Sequence, residues 1–97
     1  MAELFWSGRA LNELDELIDY LLDEWGLEIT SRVSTEIDQT VMRIKSSPEN
    51  FPVFIKSKNI RRCIASPQTS IFFRASKNKI EIISLFDNRQ NPKKRKL

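Results

Sequence analysis

The sequence predicts an α+β domain of two layers, in which an antiparallel helical hairpin packs on a mostly antiparallel sheet in the order β-αα-βββ. Two patterns lead to this fold class. Apolar residues recur at helical spacing in the first half of the chain, and short runs of β-branched and aromatic residues fill the second half. With 97 residues, the chain is long enough for one domain around one core.

The first half is predicted to contain a short strand and two helices. Residues 2–6 have no helical period and can form the strand, and Ser7 can cap the helix that follows. We expect the helices over about residues 8–25 and 28–45, with Gly26 ending the first by taking a positive φ and Pro48 limiting the second. Their expected core stripes are Leu14, Leu17, Ile18, Leu21 and Trp25 in the first helix, and Ile29, Val33, Ile37, Val41 and Ile44 in the second.

The second half is predicted to contain three strands, after a loop over residues 48–59. These strands cover residues 60–65, 69–75 and 79–86, with turns at the Ser-Pro-Gln and Ser-Lys-Asn segments between them. In the last strand, the residues expected to point to one face of the sheet and those expected to point to the other are both mostly apolar. This pattern favours a central strand covered on both faces. The domain therefore spans residues 1–90, and residues 91–97 form a basic tail that we expect to be mobile.

Charge is divided unevenly along the chain. Residues 1–50 hold four basic and eleven acidic residues, whereas residues 51–97 hold twelve basic and two acidic residues. Such asymmetry predicts a basic side that attracts nucleic acid, anionic lipid or an acidic protein. The alternative is that the two halves fold together and pair most of these charges.

Several classes of site are excluded by composition. The chain has no histidine and one cysteine, Cys63, so a zinc site with nitrogen or sulfur ligands and a Ser-His or Cys-His catalytic pair are both ruled out. We expect no cofactor and no metal. No apolar run approaches the roughly 20 residues of a membrane helix, and the N-terminus lacks the pattern of a signal peptide, so we expect a cytoplasmic protein without a membrane partner.

The order of elements and several short motifs resemble the RelE/ParE superfamily of bacterial toxins from type II toxin–antitoxin modules. The motifs are Phe-Trp-Ser before the first helix, Pro-Glu-Asn-Phe-Pro after the hairpin, Ile-Arg-Arg in one strand, Ile-Phe-Phe-Arg in the next, and Asp-Asn-Arg-Gln-Asn-Pro at the end. The resemblance covers about residues 3–92. It implies a toxin that a cognate acidic antitoxin holds inactive by laying a segment over the basic sheet, in a complex that can be a hetero-oligomer.

The resemblance leaves two activities open. ParE-like members bind and inhibit DNA gyrase, whereas RelE-like members cleave mRNA on the ribosome. RelE-like nucleases often carry a Tyr-Arg pair at the start of the third strand and a Tyr or His near the C-terminus. Here the strand position reads Thr69-Ser70, and the chain has no tyrosine after Tyr20. These departures favour the ParE-like activity, with no catalytic residue, over a ribonuclease that uses lysine and arginine. A basic nucleic-acid-binding module without toxicity is a third alternative.

Candidate residues for binding the antitoxin or the target are the cations of the basic half. Adjacent arginines on a strand point to opposite faces, so we expect one of Arg61 and Arg62 to line a groove and the other to pair with helical carboxylates. Cys63 and the two phenylalanines of the next strand are interpreted as buried packing residues. The full candidate set is Lys56, Lys58, Arg61, Arg62, Arg74, Arg89, Lys93 and Lys94.

Overall fold

The computed structural model describes residues 3–90, which form a five-stranded sheet covered on one face by two helices. The α+β class and the β-αα-βββ order are confirmed, with one further strand inside the segment predicted to be a loop. Residues 91–97, including the candidates Lys93 and Lys94, lie outside the described residues. The elements are β1 (Glu3–Trp6), α1 (Gly8–Glu24), α2 (Leu27–Ser46), β2 (Val53–Ile55), β3 (Ile60–Ser66), β4 (Thr69–Ser76) and β5 (Lys79–Asp87), with 3-10 turns at Pro48–Asn50 and Lys56–Lys58.

The sheet has the order β1-β5-β4-β3-β2. β1 runs parallel to β5, and the other neighbouring strands are antiparallel. The predicted inner position of β5 is therefore confirmed, since β1 and β4 flank it. The expected cover on both faces is only half right: Ile80, Ile82 and Leu85 are buried in the core, whereas Phe86 stays partly exposed because both helices pack on the other face.

The core lies between the helices and one face of the sheet. The α2 stripe is confirmed: Val33, Ile37 and Ile44 are buried, and the other two members pack against them. The α1 stripe is only partly right, because Trp25 is 52% exposed and Ile18 is partly exposed outside the core. Trp25 follows the last helical residue and has a non-helical φ of −124°, so the helical period no longer directs its side chain to the core. Residues from α1 in the core are Ala10, Leu17 and Leu21.

Two polar side chains of the first helical turns attach α1 to a bulge in β5. The register of β4 and β5 shifts at Ile83, which leaves backbone groups without a ladder partner. Ser7 caps α1 by accepting from the Ala10 N–H at 3.0 Å, as predicted, and its hydroxyl donates to the Ile83 carbonyl at 2.8 Å. Glu13 accepts from the Leu85 N–H at 3.1 Å and from the Ser84 hydroxyl at 2.8 Å. The bulge is thus satisfied by side chains of α1.

Gly26 joins the two helices with a φ of 88°, a value that disfavours any residue with a Cβ. We expect Gly26→Ala to lower the free energy of unfolding by about 1–3 kcal/mol, because its φ of 88° with a ψ of 175° is a backbone conformation that residues with a Cβ adopt only under strain. No atom lies within 4 Å of the added Cβ, so the loss comes from backbone strain alone. Urea denaturation monitored by circular dichroism measures it.

Gly8→Ala is the matched control for that substitution. Gly8 also has open space where a methyl group would be added, but it lies in the first turn of α1 and its φ is not positive. We expect this variant to be as stable as the wild type or more stable by about 0.5–1 kcal/mol, because alanine restricts the unfolded chain. Equal losses in the two variants would contradict the role of positive φ at Gly26.

Candidate functional site

The structure brings five of the candidate cations to the half of the sheet that contains β2, β3 and β4, and these are Lys56, Lys58, Arg61, Arg62 and Arg74. Lys56 and Lys58 are exposed in the turn between β2 and β3. Arg62 and Arg74 lie on the sheet face away from the helices. Their neighbours in sequence, Cys63 and Phe73, point toward the helices as core residues, and successive strand residues point to opposite faces. The Arg74 Nε donates to the Lys58 carbonyl at 3.0 Å, which ties the turn to the sheet.

Arg61 points the other way from Arg62, as the strand prediction required. Its guanidinium donates to the backbone carbonyl of Phe51 at 2.5 Å. The expected pairing with helical carboxylates is therefore wrong for Arg61, which forms no ion pair with any residue from 3 to 90. Arg61 instead holds the segment between α2 and β2 against the sheet.

Arg89 lies at the opposite end of the sheet, in a buried ion pair with Asp87. Its Nε and a terminal nitrogen donate to the two Asp87 oxygens at 2.8 Å and 2.6 Å, and its backbone N–H adds a bond of 2.9 Å. Asp87 is fully buried, and only 14% of the Arg89 side chain is exposed. The Arg89 guanidinium is thus already bound within the fold, in an ion pair whose two side chains are both largely buried.

Tyr20 and Thr69 belong to the same buried network. The Tyr20 hydroxyl donates to the Arg89 carbonyl at 2.8 Å, and the Thr69 hydroxyl donates to Asp87 at 2.7 Å. Thr69 is 1% exposed. Thr69, the first residue of the pair at the strand position where RelE-like nucleases carry Tyr-Arg, is therefore a buried structural residue, whereas Ser70 is partly exposed.

The edge of the sheet formed by β2 and β3 is partly open, because β2 covers only the first part of β3. β2 pairs with β3 at Val53–Arg61 and Ile55–Ile60, and the last bond joins the Arg62 N–H to the Pro52 carbonyl at 3.1 Å. Backbone groups of alternate strand residues point the same way, so the N–H and C=O of Ile64 also point to this edge, where no further strand lies among residues 3–90. The open edge can accept an additional strand from another chain.

A groove runs along this open edge toward the end of α2. It consists of two adjoining cavities of about 440 Å³ and 350 Å³, which share Arg43 and Phe51 in their walls. We call it the edge groove. Its exposed apolar residues are Met42, Val53, Phe54 and Ile64.

Two guanidinium groups border the edge groove, and none of the described residues that line it is a carboxylate. Arg62 stands over the Phe54 ring at 5.5 Å, and Arg43 donates to the Thr40 hydroxyl at 3.3 Å. Neither arginine is in an ion pair with residues of the described chain. The edge groove therefore combines an open strand edge, apolar side chains and two cations that can bind carboxylates, which suits an extended acidic peptide.

Cys63 lies in the wall of the edge groove as a buried residue, as predicted. Burial raises the pKa of its thiol, and the nearby Arg43 offsets this effect only in part, so the thiol stays protonated. Within residues 3–90 no three His, Cys, Asp or Glu side chains come together in a group that could hold a metal ion.

Sequence reasoning missed Arg43 and the apolar residues of the edge groove. Arg43 belongs to the acidic half of the chain, and the groove forms only when the end of α2 meets the edge of β3. The signal available was the apolar pair Val53-Phe54 not far before Arg62, in a segment that had been predicted to be a loop.

Comparison with known proteins agrees with this architecture. The family model described as "ParE toxin of type II toxin-antitoxin system, parDE" matches residues 4–92. A search of curated proteins finds no significant match.

Solved structures show the same fold. A chromosomal ParDE system from P. aeruginosa aligns with a TM-score of 0.75 at 19% identity, over 90% of this chain and 96% of that chain. A YoeB/ParE toxin from Agrobacterium tumefaciens aligns at 0.63 and 12% identity, over 90% and 98%. YafQ from E. coli aligns with a TM-score of 0.52 at 8% identity, over 92% of this chain and 96% of that chain.

No helix within the described range is long and apolar enough to cross a bilayer.

Proposed function

Because the chain belongs to the ParE toxin family of type II toxin–antitoxin systems, we propose that it acts by binding and inhibiting DNA gyrase, without cleaving RNA. In this proposal a cognate acidic antitoxin neutralises the toxin, and the toxin binds both the antitoxin and gyrase in the cytoplasm. The family assignment over residues 4–92 is the observation that supports this activity most directly.

The environment of the polar side chains supports binding over RNA cleavage. Cleavage through the 2′-hydroxyl needs a group that accepts a proton and a group that donates one. The chain has no histidine, its single tyrosine hydroxyl is bound to the Arg89 carbonyl, and Thr69 is buried beside Asp87. Arginine, which keeps its proton at any working pH, can hold a phosphate but cannot replace these groups. Lys56 and Lys58 are exposed and lack the buried surroundings in which a lysine serves as a base.

The edge groove is the surface that best fits the antitoxin. An antitoxin segment can add to the open edge of β3, place apolar side chains over Ile64 and Phe54, and present carboxylates to Arg43 and Arg62. Lys56, Lys58 and Arg74 lie on the same half of the sheet and extend the positive field around it. Arg61 and Arg89 contribute by holding the fold, through the Phe51 carbonyl and Asp87.

A supercoiling assay with purified gyrase tests the proposed activity. We expect the toxin to block supercoiling of relaxed plasmid, and an equimolar amount of the antitoxin encoded beside it to restore supercoiling. Primer extension on ribosome-bound mRNA serves as the comparison, and we expect intact transcripts. Unimpaired supercoiling together with new transcript ends would replace gyrase inhibition with ribonuclease activity.

A further inference from the structure

A second exposed apolar surface lies on α1, away from the edge groove. Leu11 and Leu22 are 48% and 45% exposed, and they recur at helical spacing on one flank of α1 together with the partly exposed Ile18. Trp25, the residue directly after α1, is 52% exposed at the end of the helix. Leu27, the first residue of α2, follows Trp25 by two residues at the tip of the hairpin and is 72% exposed. We call these five residues the α1 face. Within residues 3–90 no other element covers them.

A row of carboxylates borders the α1 face. Asp15, Asp19 and Asp23 follow one another at intervals of four residues beside Leu11 and Leu22, and all three are exposed. None of them is in an ion pair with a residue of the described chain. Like charges at this spacing destabilise a helix by about 0.2–0.5 kcal/mol per pair. The row therefore weakens the isolated helix, and a cationic partner would remove that repulsion.

We propose that the α1 face is the docking surface for a basic amphipathic helix of the toxin's target protein. Leucine and tryptophan side chains would bury the apolar side of that helix, and the aspartates would pair with lysines or arginines beside it. This inference rests on the proposed function, since it assigns the surface through which the toxin contacts gyrase. It adds the chemistry of the contact, which is a positively charged helix laid along α1.

Charge complementarity separates this occupant from the alternatives. Residues 8–28 contain seven acidic residues and one basic residue. Nucleic acid and an acidic antitoxin are repelled by such a surface, and a second copy of the chain related by a two-fold axis would bring an identical acidic row against it. A basic protein segment is the occupant that both the charge and the apolar stripe favour.

The α1 face and the edge groove lie at different parts of the fold. α1 packs chiefly on β5, whereas the edge groove lies between the end of α2 and the edge of β3, two strands farther along the sheet. Changes to the α1 face should therefore alter target binding and leave the antitoxin complex intact.

Binding measurements on the full chain test this assignment. The first probe is a synthetic peptide as long as α1, 17 residues, with leucines on one helical face and lysines on the other, and the control peptide carries glutamate in place of lysine. We expect the lysine peptide alone to bind. Trp25→Ala should lower the affinity for the lysine peptide about 30-fold, as expected for an aromatic residue that anchors an interface. The triple variant Asp15→Lys, Asp19→Lys, Asp23→Lys should weaken it about 100-fold or more.

The same variants are then measured against purified gyrase subunits and against the antitoxin. We expect parallel losses toward gyrase, with unchanged antitoxin affinity and unchanged circular dichroism spectra. The assignment of the α1 face as the docking surface would be overturned by equal binding of the lysine and glutamate peptides. It would also be overturned by variants that bind gyrase as tightly as the wild type does. A wild-type toxin that binds the lysine peptide but not gyrase would refute gyrase as the target and still support the α1 face.

Discussion

Replacing Asp87 with alanine is expected to lower the free energy of unfolding by about 3–5 kcal/mol, because it leaves the Arg89 charge buried without its partner. Asp87 is fully buried and accepts bonds from Arg89 and Thr69. For a domain of this size such a loss is a large part of the total stability. Thermal and urea unfolding of the purified chain measure it.

Two further variants separate the buried ion pair from a general effect of charge. Glu81→Ala removes an exposed carboxylate that lies 3.6 Å from Arg74, and it should cost no more than about 1 kcal/mol. The double variant Asp87→Ala, Arg89→Met removes both buried charges, and it should be more stable than Asp87→Ala alone. If the double variant is the less stable of the two, an unpaired Arg89 charge is not the cause.

The same carboxylate makes stability depend on pH in the acid range. Burial of Asp87 acts to raise its pKa, but the bonds from Arg89 and Thr69 outweigh burial and hold the pKa below its usual value. A lowered folded-state pKa adds stability that is present above the unfolded pKa of about 3.9 and is lost as the pH falls through the folded value. We therefore expect the difference between wild type and Asp87→Asn to be constant from pH 7 to about pH 5 and to shrink below about pH 4. A difference that grows toward low pH would contradict this sign.

Reversing both charges of the edge groove is expected to weaken the antitoxin complex about 100-fold or more, equivalent to about 2.7 kcal/mol. In the variant Arg43→Glu, Arg62→Glu, the antitoxin carboxylates would meet like charges instead of guanidinium groups. Neither arginine is in an ion pair within the described chain, so the fold should tolerate the change. Calorimetric titration with purified antitoxin measures the affinity, and the growth of cells that express both proteins reports neutralisation.

Arg9→Glu, Arg32→Glu is the control matched in net charge. These arginines are exposed on the helices, where each forms a weak pair with the glutamate four residues later. The control should lower the affinity about 10-fold at most, through the long-range field alone, and this loss should vanish at high salt. Equal losses in the two double variants would show that net charge, and not the edge groove, determines antitoxin binding.

The elements that could be predicted are those with a strong local pattern. Both helices are predicted within about two residues of their ends, because their apolar periodicity, the Ser7 cap and Gly26 act within a few residues along the chain. β2 was missed because it is three residues long, follows Pro52, and forms only by pairing with β3. A strand that depends on its partner leaves little periodicity of its own to detect.

The candidate site was predictable only in part for a related reason. The basic half and its arginines are visible in the sequence, but their roles depend on what each guanidinium meets. Arg61 donates a hydrogen bond to the Phe51 carbonyl, and Arg89 forms an ion pair with Asp87. Arg62 lines the edge groove together with Arg43, which comes from the acidic half of the chain. The spacing of Trp25 predicts a core position, yet the chain leaves the helix one residue before it.

The amino-acid sequence alone establishes the fold class, both helices, four of the five strands and the division of charge, because hydrophobic periodicity and charge are local properties. Folding in three dimensions settles which cations are bound within the protein, where the sheet stays open and which flank of α1 remains uncovered. These outcomes depend on residues far apart in the chain coming together, such as Arg43 and Cys63 in the wall of the edge groove or Tyr20 and Arg89 in a hydrogen bond, and no pattern along the sequence records which distant groups will meet.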